Sequence, residues 1–467
     1  MSAPTTVVWF RRDLRVADHP ALRAAVDAGP TVCLFVIDTT LLRRRHHHAP
    51  PRLRFLRAGL EALDGELRAR GSRLVVREGA PSRVVPAVAE EAGATRVVVT
   101  REVSPFGRRR DDRVRRALER DRVEMVEFGG DLVVEPEDLT GTSGAGYLVF
   151  TPFSRVWRDA PLPEHVPAPR EIPGPELPSE GLDRLPSGDP PLEAGPAAAR
   201  RRIVEFIRDG DADGYPDHRD VPAEDRTSHL SAYLRFGMCT GAQVGRALGL
   251  PGRLTAGREA FWRQICWREF YHHHLARHPE VARVSLKPTL RGIEWDDDAA
   301  DLAAWAEGST GFPIVDAGMR QLASTGWIHN RARMIVASFL VKDLLVDWRR
   351  GETVFMQGLV DGDPANNNGG WQWTAGTGTD AAPYFRVLNP LRQAARFDPD
   401  GEYVRRFVPE LRDVPTSRIH EPWRMTAEEQ RGAGCRIGSD YPAPRVDHKE
   451  RRELMLERYR RSREAAG

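Results

Sequence analysis

Four short runs of β-branched and aromatic residues, each followed by a stretch with helical spacing, occupy roughly the first quarter of the chain. They are Val7-Val8-Trp9-Phe10, Val32-Cys33-Leu34-Phe35-Val36-Ile37, Leu74-Val75-Val76 and Arg96-Val97-Val98-Val99. Strands alternating with helices predict a Rossmann-like parallel α/β sheet over residues 1–130. Helical spacing covers 20–28, opened by Asp18-His19-Pro20 as cap and early proline, and 51–70. From 131 to 196 proline and glycine dominate, which predicts an inter-domain connector. Beyond 197 strand-like runs nearly vanish. Apolar residues recur at helical intervals over 198–208, 258–277, 314–324 and 331–347, and the tail from 425 ends in a charged helix. An all-α domain is therefore expected over 197–467, and no stretch repeats another.

Composition bounds this picture. A chain of 467 residues exceeds one ordinary core, so two or three domains and a sizeable buried cavity are expected. The formal net charge is only +2, so any nucleic-acid surface must come from how charge is distributed. Nearly every basic residue is arginine, with Lys287, Lys342 and Lys449 the only lysines. Abundant alanine, glycine and proline fit a GC-rich genome, which halves the weight of that bias. Cys33, Cys239, Cys266 and Cys435 lie far apart with no metal-site spacing, as in a reduced intracellular protein. No charged leader with an apolar stretch opens the sequence, and no apolar run approaches the roughly 20 residues of a membrane span. A cytoplasmic location is the expectation.

The most informative segment runs from Asp361-Gly362-Asp363-Pro364-Ala365-Asn366-Asn367-Asn368 through Gly369-Gly370-Trp371-Gln372-Trp373 to Asp380. Acids, amides, glycines and two tryptophans crowded together make poor core but a good lining for a redox-active aromatic cofactor. If the segment is helical, Trp371 and Trp373 point to nearly opposite sides, because two residues turn a helix by about 200°. Another helical face carries Gln264, Trp267, Arg268 and Tyr271 at i, i+3, i+4 and i+7, which suits either a cavity wall or a helix–helix core.

With these residues in view, the chain resembles the photolyase/cryptochrome family, and among its members the microbial class I cyclobutane pyrimidine dimer photolyases. The carriers are Trp9-Phe10-Arg11-Arg12-Asp13-Leu14-Arg15, Thr227-Ser228-His229-Leu230-Ser231, Trp267-Arg268-Glu269-Phe270-Tyr271, Gly311 to Ala317, His329-Asn330-Arg331, Arg333-Met334 and the Trp371 segment. They span nearly the whole chain. The resemblance implies an N-terminal antenna domain and a helical domain holding FAD in a U shape at the base of a cavity. It further implies a monomer in which reduced FAD absorbs blue light and passes an electron to a pyrimidine dimer in UV-damaged DNA. The electron returns once the cyclobutane ring splits.

By that resemblance, the FAD contacts are Tyr215, Thr227, Ser228, His229, Leu230, Ser231, Phe261, Arg333, Asp361, Gly362 and Asp363, with Asn367 beside flavin N5. Taken alone, Thr227-Ser228 reads equally as a helix N-cap, and each aspartate as a structural cap. Trp371, Trp348 and Trp295 match the family's electron-hopping chain, with Trp305 a close rival for the last place. Trp267 and Trp373 match the pair that grips the dimer, and Arg219, Gln264, Arg268, Tyr271, Asn330, Arg331, Met334 and Gln393 its DNA or lesion contacts. The segment from Glu102 to Arg108 and Pro51-Arg52 look like the type that binds an 8-hydroxy-5-deazaflavin antenna rather than methenyltetrahydrofolate. That assignment makes Arg52 and Glu102 the contacts, although the deazaflavin type carries aspartate at the latter place.

The pattern breaks at Gln264, where dimer photolyases carry glutamate. An amide donates a hydrogen bond but cannot hold a proton or charge as a carboxyl does. Glutamine there is typical of (6-4) photolyases and animal cryptochromes, whose histidine pair is absent at Asn330 and Met334. The triplets His46-His47-His48 and His272-His273-His274 read as a loop and as a helix turn, with no metal site. Gln264 therefore leaves open a cryptochrome-like blue-light sensor or an altered lesion preference. A nucleotide- or DNA-binding protein that has lost the flavin is a third reading.

Overall fold

The computed structural model describes residues 4–43, 48–140, 146–379 and 386–466, so His46, His47 and Asp380 lie outside the described residues. The chain forms two compact units, each drawn from separated stretches: one from 1–215, 228–279 and 360–365, the other from 216–227, 280–359 and 366–467. These units follow packing, whereas the divisions expected at 130 and 196 follow chain order.

The first unit contains five strands, β1 (Thr5–Phe10), β2 (Thr31–Asp38), β3 (Leu74–Gly79), β4 (Ala94–Thr100) and β5 (Glu124–Phe128), in the order β3-β2-β1-β4-β5 with every pair parallel. β1 is central and buried on both faces, which is why Val7 to Phe10 show no polar alternation. β5 escaped the sequence reading because Glu124 and Glu127 interrupt its apolar residues. It is the edge strand beside β4, where Glu124 pairs with Arg96 at 2.9 Å. Helix Pro20–Ala28 begins on its proline, and its cap is His19, whose Nδ1 accepts from the Leu22 amide at 3.1 Å.

The expected connector is more than a spacer. Helix Phe150–Asp159 lies within it and buries Phe150, Phe153 and Trp157. Helix Ala256–Arg277 supplies the matching anchor. Its Glu269, fully buried, accepts from the amides of Val133 (2.6 Å) and Val134 (3.2 Å) and from Trp157 Nε1 (2.7 Å).

The second unit is helical. Pro313–Thr325, Asn330–Lys342, Trp348–Gly358 and residues 366–375 surround a core that includes Trp305, Phe339, Trp348, Phe355 and Trp371. The helix expected over 331–347 stops at Lys342. Asp343 turns its carboxylate to His448 Nδ1 at 2.5 Å, and Leu345 takes a left-handed φ of 56°. Leu344, Leu345 and Val346 stay buried after the helix ends, so apolarity alone extended the sequence reading too far.

Candidate active site

In the first unit, β1 runs into Arg11-Arg12 and β4 into Arg101-Glu102 at the carboxyl edge of the sheet, where strand order reverses. Open α/β sheets place ligands at such a switch point. Arg12 bridges two acids there, with Nη1 3.2 Å from Glu102 Oε1 and Nη2 2.5 Å from Asp363 Oδ2. Asp363 also accepts from the Ala365 amide at 3.0 Å, and Arg235 Nε donates to the Gly362 carbonyl at 2.8 Å. Burial alone would raise the Asp363 pKa, but His272, Arg12 and Arg235 outweigh it and hold the carboxyl well below the usual range. Glu102, opposed by burial yet favoured by Arg12, Arg110 and Arg11, is held down to about 2.

This corner tests whether the residues suit FAD. Burial, with Arg12 nearby, lowers Arg235 to about 9, and its buried Nη1 has no hydrogen-bond partner among the described residues. An unmet buried donor beside the Asp361–Asp363 turn suits a group that carries negative charge, as a flavin dinucleotide does. The donor set fits.

The two residues expected to contact an antenna, Glu102 and Arg52, both lie in the first unit. Glu102 is engaged by Arg12 and by the Ser104 amide, and the cavity beside it measures about 20 Å³, room for about one water. Arg52 is buried, which lowers it to about 10 against the attraction of Asp361.

Tyr215, Phe206 and Phe261 form an aromatic wall in the same unit, with Phe261 5.2 Å from Tyr215 and 4.7 Å from Phe206 between ring centroids. The helical run expected after Thr227-Ser228 is only five residues, Ser231–Arg235. His229 takes a φ of 51°, and the Ser228 carbonyl accepts from Arg202 at 2.9 Å.

Helix Ala256–Arg277 carries the Gln264 face. The Trp267 indole lies flat on Phe150, centroids 3.6 Å apart and planes 5° from parallel, and meets Tyr271 at 5.7 Å. Gln264 Nε2 donates to the Ala260 carbonyl one turn back at 3.1 Å, so one N–H is engaged by its own helix. Arg268, expected to contact DNA, reaches toward Asp131 (3.4 Å) and the Leu234 carbonyl (3.2 Å). Its side chain is 11% exposed.

In the second unit Trp371 and Trp373 do face different surroundings. Trp371 is buried edge-on to Trp305 (6.0 Å) and Phe355 (5.0 Å), and Gly351 permits this approach, since a Cβ there would lie 2.2 Å from the indole. Trp348 is buried in that core and Trp295 packs partly buried against it. Trp373 instead lines a cavity of about 260 Å³ with Arg331, Met334 and Gln393. Lys287, Lys342, Arg386 and Arg396 also line it, with no carboxylate among its described lining residues. Two of the chain's three lysines thus converge on one cavity, a grouping spacing alone could not reveal.

Arg331 pairs with Asp220 at 2.8 Å and sits over the Phe397 ring at 4.1 Å. Arg219 lies 3.9 Å from the same carboxylate, and Asn330 is exposed, its amide 3.8 Å from Met334 Sδ. Arg333 Nε donates to the Ile328 carbonyl at 2.8 Å. Asn367 Nδ2 donates to the Glu352 carbonyl at 3.0 Å, and Asn368 Nδ2 lies 3.2 Å from the Glu352 carboxyl, which burial raises to about 7. Glu352 and Phe150 were missed in the sequence because only tertiary packing joins them to the motifs. Arg12 lay within a quoted motif, but its partner is 351 positions away. No group of three His, Cys, Asp or Glu side chains among the described residues could hold a metal, and no described helix is long and apolar enough to cross a membrane.

Two family patterns match the chain: DNA photolyase over residues 6–172 and the FAD binding domain of DNA photolyase over 261–461. A deoxyribodipyrimidine photo-lyase of Halobacterium salinarum is 42% identical over 97% of this chain and 98% of its own. One from Streptomyces griseus is 44% identical over 96% and 97%. The crystal structure of a bacterial class III photolyase from Agrobacterium tumefaciens superposes with a TM-score of 0.92 at 38% identity, over 99% of this chain and 98% of that one. The chain belongs to the DNA photolyase family.

Proposed function

We propose that the protein is a deoxyribodipyrimidine photolyase, a carbon–carbon lyase that uses blue light and reduced FAD to split pyrimidine dimers in DNA. The observation that carries this reading is the cation-lined cavity holding Trp373, Arg331, Met334 and Gln393. An aromatic face offers stacking to an unpaired base, and uniform positive charge suits the phosphates on either side of it. A lesion must leave the duplex to enter such a cavity, as the general logic of base flipping requires.

FAD supplies the light absorption and the transferable electron. The chain's part is to hold and tune it. Asp361, Gly362, Asp363 and Arg333, with Tyr215, Phe261 and residues 227–231, are the proposed contacts, and Asn367 is the residue proposed to lie beside flavin N5. The hydrogen bond from Asn367 to the Glu352 carbonyl fixes that amide in one orientation. Trp371, Trp348 and Trp295 are proposed to return the flavin to its reduced state. Trp267 grips the dimer through one face, since Phe150 covers the other.

Residues 1–130 are assigned the antenna role, 131–196 the connection, and 197–467 flavin and DNA binding. A deazaflavin-type second chromophore is favoured by the resemblance of 102–108, with Arg52 and Glu102 as its proposed contacts. A cytoplasmic monomer completes the reading. The test is light-dependent loss of a cyclobutane dimer by the purified, fully reduced, FAD-loaded chain. Flavin uptake without any repair would instead favour the sensor that Gln264 suggests.

A further inference from the structure

Arg331 lies in the first turn of helix Asn330–Lys342, and its backbone amide is held by the N-cap, donating to His329 Nδ1 at 3.1 Å. Its side chain is fixed from two further directions. Asp220 Oδ1 accepts from Nη2 at 2.8 Å and from Nε at 3.2 Å, and the guanidinium lies 4.1 Å over the ring of Phe397, the last residue of helix Pro390–Phe397. One edge and one face of the guanidinium are thus occupied. Nη1 makes no hydrogen bond among the described residues, and it is the edge left for a ligand in the cavity that Arg331 lines. Phe397 also carries Arg396 at 5.0 Å, a second arginine of the same cavity.

An acid at this surface comes at a cost. The Asp220 carboxylate stands 2.8 Å from Arg331 and 3.9 Å from Arg219, both expected to contact DNA. A negative charge there repels phosphate and cancels part of the attraction that the two arginines supply. Stability gives little reason to keep it, because the Asp220 side chain is 31% exposed and ion pairs open to solvent add little to folding. What the acid does supply is direction. Binding to ordinary duplex relies on diffuse charge and tolerates a mobile arginine, whereas a nucleotide turned out of the helix must meet its contacts in one place.

We propose that Asp220 and Phe397 are the positioning residues for Arg331, and that Asp220 sets specificity: it weakens attraction for any duplex and fixes the Nη1 edge toward the lesion-bearing strand. This rests on the photolyase reading above. The two residues act differently, Asp220 through charge and direction together and Phe397 through direction alone.

The experiment uses the full, FAD-loaded chain as wild type, Asp220→Asn and Phe397→Leu. Fluorescence anisotropy in the dark measures binding to one duplex with and without a cyclobutane thymine dimer over a range of salt, and circular dichroism follows the fold of each variant. Asp220→Asn should bind undamaged duplex more tightly, steepen the slope of log affinity against log salt by about 1, and lower the preference for damaged DNA about tenfold. Phe397→Leu keeps every charge, so it should lose a similar share of the preference with the slope unchanged. Weaker binding of undamaged duplex by Asp220→Asn, or an undiminished preference for damaged DNA in either variant, would overturn the proposal. Loss of the fold in Asp220→Asn would make the acid structural and overturn it too. A wild-type chain with no preference for the dimer would instead remove the photolyase reading, and the roles of both residues with it.

Discussion

Phe150 and Trp267 stack face to face, 3.6 Å between centroids, although 117 positions separate them. One face of the indole is therefore committed to the protein, and only the other can receive a base. Replacing Phe150 with alanine leaves Trp267 free to rock while its helix stays anchored through Glu269. A stacked aromatic pair contributes roughly 0.5–1.5 kcal/mol beyond its buried area, so dimer-containing DNA should bind about tenfold more weakly in the dark. Fluorescence anisotropy on damaged and undamaged duplexes measures this. An unchanged preference for damaged DNA would show that Trp267 needs no backing.

Trp371 is buried edge-on to Trp305 and Phe355, far from solvent but within a continuous aromatic core. Trp371→Phe keeps most of that volume, at a stability cost below about 2 kcal/mol. Photoreduction of oxidised flavin should slow by an order of magnitude or more, while chemically reduced protein repairs at its normal rate. Equal losses in both assays would place Trp371 in the chemistry of repair and not in flavin reduction.

Acid should expose the Glu102–Arg12 pair. Arg12, Arg110 and Arg11 hold the Glu102 carboxyl down to about 2, against 4.5 ordinarily, so the folded state favours its charged form. The resulting stabilisation, about 3 kcal/mol, is present above pH 4.5 and is lost as pH falls toward 2. Glu102→Gln should be less stable at neutral pH and lose less between those limits, as followed by urea unfolding at each pH. A variant with the same acid profile as wild type would locate the acid-sensitive group elsewhere.

Arg331 and Arg268 both looked like DNA contacts in the sequence, and the structure separates them. Arg331 borders the cation-lined cavity, whereas Arg268 is turned toward Asp131 and the Leu234 carbonyl. Arg331→Ala should weaken DNA binding and reduce the slope of log affinity against log salt by about 1. Arg268→Ala should lower the melting temperature and leave that slope unchanged.

These two arginines show where sequence reading stops. Periodicity revealed the parallel sheet and the long helices, because β1 and helix Ala256–Arg277 are committed by local pattern. It overran at Leu344-Leu345-Val346, where burial continues after the helix has ended. The composition of the Trp371 segment suggested a lining for an aromatic cofactor, and only the family resemblance assigned roles to its residues. The partners that orient it were silent: Arg12 for Asp363, and the Glu352 carbonyl for Asn367, are joined only by tertiary folding. Side-chain partners were equally invisible: the pairing of Arg268 with Asp131 and of Glu102 with Arg12 appears only in the folded chain.

The central claim is dimer repair by a chain that carries Gln264 where its resemblance leads one to expect glutamate. The decisive measurement photoreduces wild type and Gln264→Glu, adds oligonucleotides bearing either a cyclobutane thymine dimer or a (6-4) product, and follows lesion loss under blue light. The account predicts that wild type removes the cyclobutane dimer alone and that Gln264→Glu removes it faster. Loss of neither lesion by wild type, with repair appearing only in Gln264→Glu, would contradict it and assign this fold to sensing or binding.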